Sequence, residues 1–361
     1  MSRRSPRPTP DRILDPGGLV TIDRFDLGTL RVPVIQAPMA GGPSTPALAA
    51  AVSESGGLGF LAAGYLTAER VEADIAATRH LTLRPFGVNL FVPQPSVADP
   101  AQLAAYREAL TADAARYGVE PGHPRPDDDG WDAKLDVLLR TRPALASFTF
   151  GSPDAATVSA LQDAGIAVAV TVTTPKEASE ADAAGADLLV VQGPEAGGHR
   201  GTFDPAAPPA TEPLDELLAM IRTVSERPIV AAGGVASAAD VGRVLAAGAV
   251  AAQAGTAFLR ADEAGTRGPH RDALASGRFT RTEVTTAFSG RPARGLVNAF
   301  LAEHRDAPLG YPEVNQLTAP IRAAAAAAGD ADRLNLWAGI GFARAAAAPA
   351  AQIVEALAPA P

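Results

Sequence analysis

The sequence predicts a (β/α)8 barrel, an α/β fold, on three observations. Short apolar runs alternate with helical stretches eight times between Val32 and Ala254, and a strand-helix alternation that reaches eight points to a closed parallel barrel. Three helix-to-strand joints share one form: Asp163-Ala164-Gly165-Ile166-Ala167, Ala183-Ala184-Gly185-Ala186-Asp187 and Ala246-Ala247-Gly248-Ala249-Val250. Each puts glycine just past a helix and just before a strand. Polar residues and glycines recur at the C-terminal ends of the strands, the rim where active sites gather in such barrels. An open doubly wound sheet is the structural alternative.

In chain order, Val32 to Ile35 reads as the first strand and Thr45 to Ser55 as its helix, capped by Ser44 or Thr45 and stopped by Gly56-Gly57. Leu58 to Ala63 is the second strand, followed by a helix over Thr67 to Arg79; Phe86 to Val92 is the third strand. Residues 93–130 then interrupt the beat with many prolines, one helical stretch over Pro100 to Arg116, and the run Asp127-Asp128-Asp129. The segment is too long for a βα loop, so it reads as an insertion or lid over the barrel mouth. Next come a helix over Trp131 to Thr141, a strand over Leu145 to Phe150, a helix over Pro153 to Ala164, and a strand over Ala167 to Val172. A helix over Pro175 to Ala184, opened by its proline, leads to the sixth strand, Leu188 to Val191. A helix over Pro213 to Ser225, a strand over Pro228 to Ala232, a helix over Ala238 to Ala247 and a strand over Val250 to Ala254 complete the count. The expected partition is a disordered tail over 1–18, a barrel over 19–260, and a C-terminal extension over 261–361. That extension is expected to hold strand character at Thr282 to Phe288 and a small helical subdomain with helices over Asn315 to Ala328 and Leu334 to Ala347.

The chain has 361 residues, 47% of them hydrophobic and 20% charged, so a packed globular protein is expected. A net charge of −9 without a basic cluster argues against nucleic acid. There are no cysteines, which removes disulfides, thiolate metal sites and thiol chemistry and fits a cytoplasmic location. Arg3-Arg4 has no apolar run behind it, so a tail is expected there in preference to a twin-arginine signal. The uncharged stretch from Val32 to Ser53 is broken by Pro33, Pro38, Pro43, Pro46 and Gly41-Gly42, so no membrane span is expected. Either a monomer or a homodimer is compatible with the surface composition.

The chemistry gathers in Gln192-Gly193-Pro194-Glu195-Ala196-Gly197-Gly198-His199-Arg200-Gly201, where the sixth strand hands over to a glycine-dense loop. His199 is the one histidine of five in such a loop, with an ordinary pKa near 6.5 suited to proton transfer. No second histidine or carboxylate pair stands at metal-ligand spacing, so no metal is expected. Glu195 and Arg200 read equally well as structural partners or reacting groups. Gly233-Gly234 after the seventh strand and Gln253, Gly255 and Thr256 around the end of the eighth form a pair of loops of the kind that binds phosphate in barrels. Gln36 and Met39 after the first strand, and Asn89 on the third, stand at the same rim.

Four stretches together resemble the nitronate monooxygenase family: Gln36-Ala37-Pro38-Met39, Gly87-Val88-Asn89-Leu90-Phe91-Val92-Pro93, the stretch from Val191 to Gly201, and Ala232-Gly233-Gly234 with Gln253-Ala254-Gly255-Thr256. Tyr311-Pro312-Glu313-Val314-Asn315-Gln316-Leu317-Thr318 and Leu336-Trp337-Ala338-Gly339 resemble its C-terminal segment. The resemblance implies a TIM-barrel flavoprotein that binds FMN and oxidises alkyl nitronates such as propionate 3-nitronate with O2, giving a carbonyl compound and nitrite. It assigns FMN contacts to Asn89, Gln192, Gly197, Gly233, Gln253, Gly255 and Thr256 and the position near the flavin ring to His199, the expected catalytic residue; Gln36, Met39, Gly198 and Gly234, at the same rim, are expected to contact the cofactor with them. Two departures stand out. Ala319 and its neighbours supply no lysine where relatives often carry a basic residue, and the insertion over 93–130 aligns loosely. An NAD(P)H-dependent FMN reductase of a quinone or enoyl thioester, and a flavin-binding protein without turnover, are the alternatives.

Overall fold

The computed structural model describes residues 13–14, 20–21 and 24–359; the tail expected over 1–18 lies outside them except for Ile13–Leu14. Eight parallel strands, β1 (Val34–Gln36), β2 (Gly59–Ala62), β3 (Phe86–Phe91), β4 (Leu145–Thr149), β5 (Ala167–Val172), β6 (Leu188–Gln192), β7 (Ile229–Ala232) and β8 (Ala251–Ala254), run in the order β1-β8-β7-β6-β5-β4-β3-β2. A bridge between Ile35 and Leu58 joins the two ends. The ring is therefore closed, which excludes the doubly wound sheet.

Side-chain alternation along each strand separates two apolar layers. On β6, Leu188 and Val190 fill the barrel interior with Ile35, Phe60, Leu145, Val230 and Ala251. Leu189 and Val191 face outward onto the helices. Leu27 plugs the interior from the floor. Helices α1 (Pro46–Glu54), α2 (Ala68–Leu81), α3 (Pro100–Ala109), α4 (Thr111–Ala115), α5 (Trp131–Thr141), α6 (Ala155–Asp163), α7 (Pro175–Ala183), α8 (Leu214–Arg222) and α9 (Ala238–Ala246) follow the strands; α3 and α4 belong to the insertion, and the others stand in the outer ring with a closing helix described below. Thr45, Thr67, Asp154, Thr174 and Ser237 cap α1, α2, α6, α7 and α9 by accepting a backbone N–H. At the three repeated joints Gly165, Gly185 and Gly248 have φ of +83°, +94° and +92°, the left-handed conformation that ends a helix where side chains are disfavoured.

The helical stretch expected over Pro100 to Arg116 is two helices, hinged at Leu110. Tyr106, Leu110 and Ala114 are drawn against Phe288, Phe300, Val314 and Leu317 of the C-terminal extension, and this packing sets the bend. The insertion is thus a buttress for that extension; no residue of 93–130 lines the cavity at the barrel mouth.

The extension interrupts the barrel between β8 and its last outer helix. It contains α10 (Gly268–Ala275), strands β9 (Thr282–Thr285) and β10 (Ala293–Leu296), α11 (Ala299–Glu303) and α12 (Glu313–Ala327). The closing helix is α13 (Ala350–Leu357), which buries Ile353 and Val354 in the outer layer beside α1 and α9. The helix expected over Leu334 to Ala347 does not form. Its alanines suit a helix, but Gly339 and Gly341 do not, and the backbone is used elsewhere. Trp337 bridges Gly295, the Gly339 N–H donates to Thr256 Oγ1 at 2.9 Å, and the Ile340 N–H donates to Glu195 O at 3.1 Å. Residues 334–341 form an extended strap across the barrel mouth, followed by a short 3-10 turn at Phe342–Arg344.

Candidate active site

A cavity of about 450 Å³ opens at the C-terminal ends of the strands, between the barrel rim and the strap, within the ordinary size of a cofactor or ligand site. Strand parity decides which polar residues reach it. Asn89, Thr149, Thr171, Gln192 and Gln253 continue the inward-facing rows of β3, β4, β5, β6 and β8, and all line the cavity. Asn89 is buried and donates through Nδ2 to Ser147 Oγ at 2.9 Å and Thr149 Oγ1 at 3.0 Å. Gln192 donates to His199 O at 3.1 Å and accepts from the Gly201 N–H at 2.9 Å, so it latches the glycine loop onto β6.

Gln36 has the opposite parity. It follows the outward-facing Val34, is fully buried, and does not line the cavity. Its Oε1 accepts from the Phe60 N–H at 2.9 Å, and its Nε2 donates to Ala37 O and, at 3.0 Å, to Ser44 Oγ. Along the β1–β2 seam the backbone bonds run from Val32 N to Gly56 O, from Leu58 N to Val34 O and from Gln36 N to Leu58 O. The Gln36 side chain supplies the next rung.

The remaining expected residues, Met39, Gly197, Gly198, Gly233, Gly234, Gly255 and Thr256, all line the cavity. A Cβ on Gly197 would lie 2.4 Å from Gly339 N, so only glycine lets the strap lie against this loop. Gly233 and Gly234, with φ of +115° and +71°, turn the chain away from β7 and toward the N-terminus of α9.

His199 is not in a loop but in a two-residue strand, Gly198–His199, paired with β10. Its ring packs among Phe150, Tyr311 and Trp337 at centroid distances of 5.8, 5.9 and 5.5 Å. Its Nε2 lies 2.9 Å from Ser289 Oγ, and that hydroxyl donates to Arg291 O at 3.2 Å. A hydroxyl has one proton, so this pattern assigns the imidazole hydrogen to Nε2 and leaves Nδ1 as the acceptor. Burial, reinforced by the charges of Arg291 and Arg322, pushes His199 down to about 3, and the ring is neutral at physiological pH.

Glu195 and Arg200 are structural. The Leu214 N–H donates to Glu195 Oε1 at 3.2 Å, which places a carboxylate at the start of α8. Arg200 is buried and donates to Gly193 O and Gln192 O, holding the hairpin below the cavity. The one group of potential metal-ligating side chains among the described residues, Asp113, Glu303 and His304, lies away from this cavity. Arg333 pairs there with both carboxylates, at 2.6 and 2.7 Å.

Several lining residues were not singled out from sequence: Tyr65, Phe150, Arg267, His270, Arg322 and Trp337. Tyr65 and Phe150 each follow a barrel strand and hold positive φ, +69° and +79°, an uncommon conformation for an aromatic residue that concentrates at functional sites. Asp129 of the insertion fixes the first by accepting from the Tyr65 N–H at 2.8 Å. The Arg291 guanidinium lies 3.8 Å over the Phe150 ring and supports the second. Among the described residues no aspartate or glutamate lines the cavity. In a chain of net charge −9, the site is a positively charged enclosure with Arg267 and Arg322 in its wall.

Comparison with known proteins agrees with this architecture. The family model for nitronate monooxygenase matches residues 26–360. A nitronate monooxygenase of Pseudomonas aeruginosa is 42% identical over 346 residues, covering 93% of this chain and 98% of the relative. Its counterpart in Paraburkholderia phytofirmans is 40% identical, covering 90% and 91%. Among solved structures, the nitroalkane oxidase of Streptomyces ansochromogenes superposes with a TM-score of 0.89 at 50% identity, covering 92% of this chain and 96% of that one. FabK of Thermotoga maritima, at 24% identity and a TM-score of 0.70, shares the fold. The chain belongs to the nitronate monooxygenase family of oxidoreductases.

Proposed function

We propose that the cavity binds FMN and that the protein oxidises alkyl nitronates such as propionate 3-nitronate with O2, releasing a carbonyl compound and nitrite. The observation that carries this reading is the pairing of two glycine loops on β7 and β8 with a neutral, aromatic-boxed His199 across one acid-free cavity. The lining fits the cofactor. Gly233 and Gly234 ahead of α9, together with Gly255 and Thr256, would hold the phosphate. Thr256 accepts from the strap with its oxygen and keeps its hydroxyl proton for an anion. Met39, Asn89, Gln192, Gly197, Gly198 and Gln253 would contact the rest of the molecule.

When bound, FMN supplies the electron acceptor for an electron-rich nitronate. The chain's own residues do the remainder. With a neutral nitroalkane, His199 would take the α-proton at Nδ1; to donate to the oxygens of a nitronate it would carry its proton on Nδ1 instead, with the Ser289 hydroxyl turned to donate to Nε2. Ser289 fixes the ring from its far side. Phe150, Tyr311 and Trp337 keep water from the imidazole and raise the effect of each charge in the site.

The test is to purify the protein, verify a flavin spectrum, and mix it anaerobically with propionate 3-nitronate or with NADH and NADPH. Bleaching by the nitronate alone, with nitrite formed on admitting air, is expected. Bleaching by a nicotinamide nucleotide with no response to nitronate would move the assignment to a reductase, and a protein that binds no flavin would refute both.

A further inference from the structure

The cavity wall carries a cation that the flavin site leaves unused. Arg322 stands on α12 one turn beyond Ala319, the position where the sequence lacks an expected basic residue. Ala319 also lines the cavity, so its small side chain leaves room that Arg322 occupies from the next turn. The guanidinium is fixed in place. Its Nε donates to Thr318 Oγ1 at 3.1 Å, and one terminal nitrogen donates to Asn315 O at 2.8 Å and Oδ1 at 2.7 Å. The second terminal nitrogen has no partner among the described residues.

Burial pushes Arg322 down to about 10, with no carboxylate among its charged neighbours, so it is a cation at neutral pH. A pre-oriented guanidinium with unspent N–H groups, in a cavity without acids, calls for an anion. The location of Arg322 says which one. Its charge acts on His199 and Tyr65, and Tyr311, whose ring lies 5.9 Å from that of His199, is among the groups that act on it, which puts it on the imidazole side of the cavity and not in the glycine loops that follow β7 and β8.

We propose that Arg322 anchors a carboxylate carried by the nitronate substrate, so that the site selects an ω-carboxylated nitronate over a plain alkyl nitronate of similar length. The inference rests on the nitronate-oxidising function proposed above. The nitronate end lies toward His199, Arg322 takes the carboxylate end, and the Tyr65–Tyr311 pair lies beside the guanidinium. Among the described residues no Asp or Glu lines the cavity to oppose the second negative charge.

The holoenzyme tests this with two substrates, propionate 3-nitronate and propyl-1-nitronate, in wild type, Arg322→Met and Arg322→Lys. The expected result is that the ratio of kcat/KM for the carboxylated over the plain nitronate falls about ten- to hundredfold in Arg322→Met, mostly through KM, the range for losing a charged hydrogen bond. Arg322→Lys should recover part of that ratio. Wild-type holoenzyme titrated with 3-nitropropionate and 1-nitropropane, read by flavin absorbance, provides a measurement independent of any variant; the carboxylated ligand should bind at least tenfold more tightly. Equal binding, or an unchanged kcat/KM ratio while both nitronates are oxidised, overturns the inference and leaves the nitronate reading standing. A loss of FMN affinity in Arg322→Met with the ratio unchanged would hand the residue to the cofactor phosphate and also overturn it. If wild type oxidises neither nitronate, the functional reading falls and this inference falls with it.

Discussion

Replacing Gln36 with Met separates a structural role from a cofactor role at the first strand. The two side chains have similar length, so the change removes hydrogen bonds with little change in volume. It leaves the Phe60 N–H, buried in the β1–β2 seam, without the acceptor it has at 2.9 Å. An orphaned buried donor costs about 1–3 kcal/mol, and each of the two bonds donated by Nε2 contributes about 0.5–1.5 kcal/mol. The sum is about 2–6 kcal/mol, centred near 4, a large part of the roughly 5–15 kcal/mol that keeps a domain folded. With a urea dependence of about 1–3 kcal/mol per molar or somewhat more for a chain of this size, the unfolding midpoint of the flavin-free protein should drop by roughly 1 M. Flavin affinity, measured by fluorescence titration on folded protein, should weaken less than tenfold, because the side chain does not reach the cavity. An unchanged midpoint combined with a large loss of flavin affinity would refute this and make Gln36 a cofactor residue.

Three further outcomes are expected. His199→Asn should retain flavin and lose about a hundredfold in turnover. Since His199 is pushed down to about 3, it is uncharged above that pH and gains its proton only as pH falls through it, so kcat/KM for a nitronate should show no step near 6.5. A step there that vanishes in the variant would contradict the assignment. Gly197→Ala brings a Cβ to 2.4 Å from Gly339 N, and should raise the flavin dissociation constant at least tenfold by lifting the strap; unchanged affinity would show the strap to be dispensable. Asp113→Asn strips Arg333 of a buried partner at 2.6 Å, and chemical denaturation near pH 7 should show a loss of about 3 kcal/mol. Burial alone would raise the Asp113 carboxyl, but the His304 hydrogen bond and the Arg333 charge hold it below its ordinary value. Its contribution is therefore present above the ordinary carboxylate range and lost as pH falls through the lowered one, so the difference between variant and wild type should shrink in acid.

The barrel was legible because its signals are local. Apolar runs, capping residues and the glycines at 165, 185 and 248 each act within a few residues, and all eight strands follow from them. Parity within a strand was also available and would have separated Gln36, in step with the outward Val34, from Asn89, Gln192 and Gln253, in step with inward neighbours. What could not be read was decided by distant backbone. The alanines of 334–347 favour a helix, yet Gly295, Thr256 and Glu195 claim that segment as a strap. Tyr65, Phe150 and Arg322 carry no motif. They share one cavity with His199 only because the strand ends and α12 converge over the same mouth, and the unspent N–H groups of Arg322 become visible only once its partners are known.

The strap also orders events during synthesis. All eight strands have been synthesised once Ala254 is added, but the outer wall of the cavity waits for residues 334–341. A nascent chain at the earlier stage presents an open bowl from which a small ligand escapes as readily as it enters. Only a chain extended past the strap can retain one. If the cavity holds the flavin proposed above, its retention would discriminate finished molecules from truncated ones, and a pool kept saturated with cofactor would favour the former by mass action.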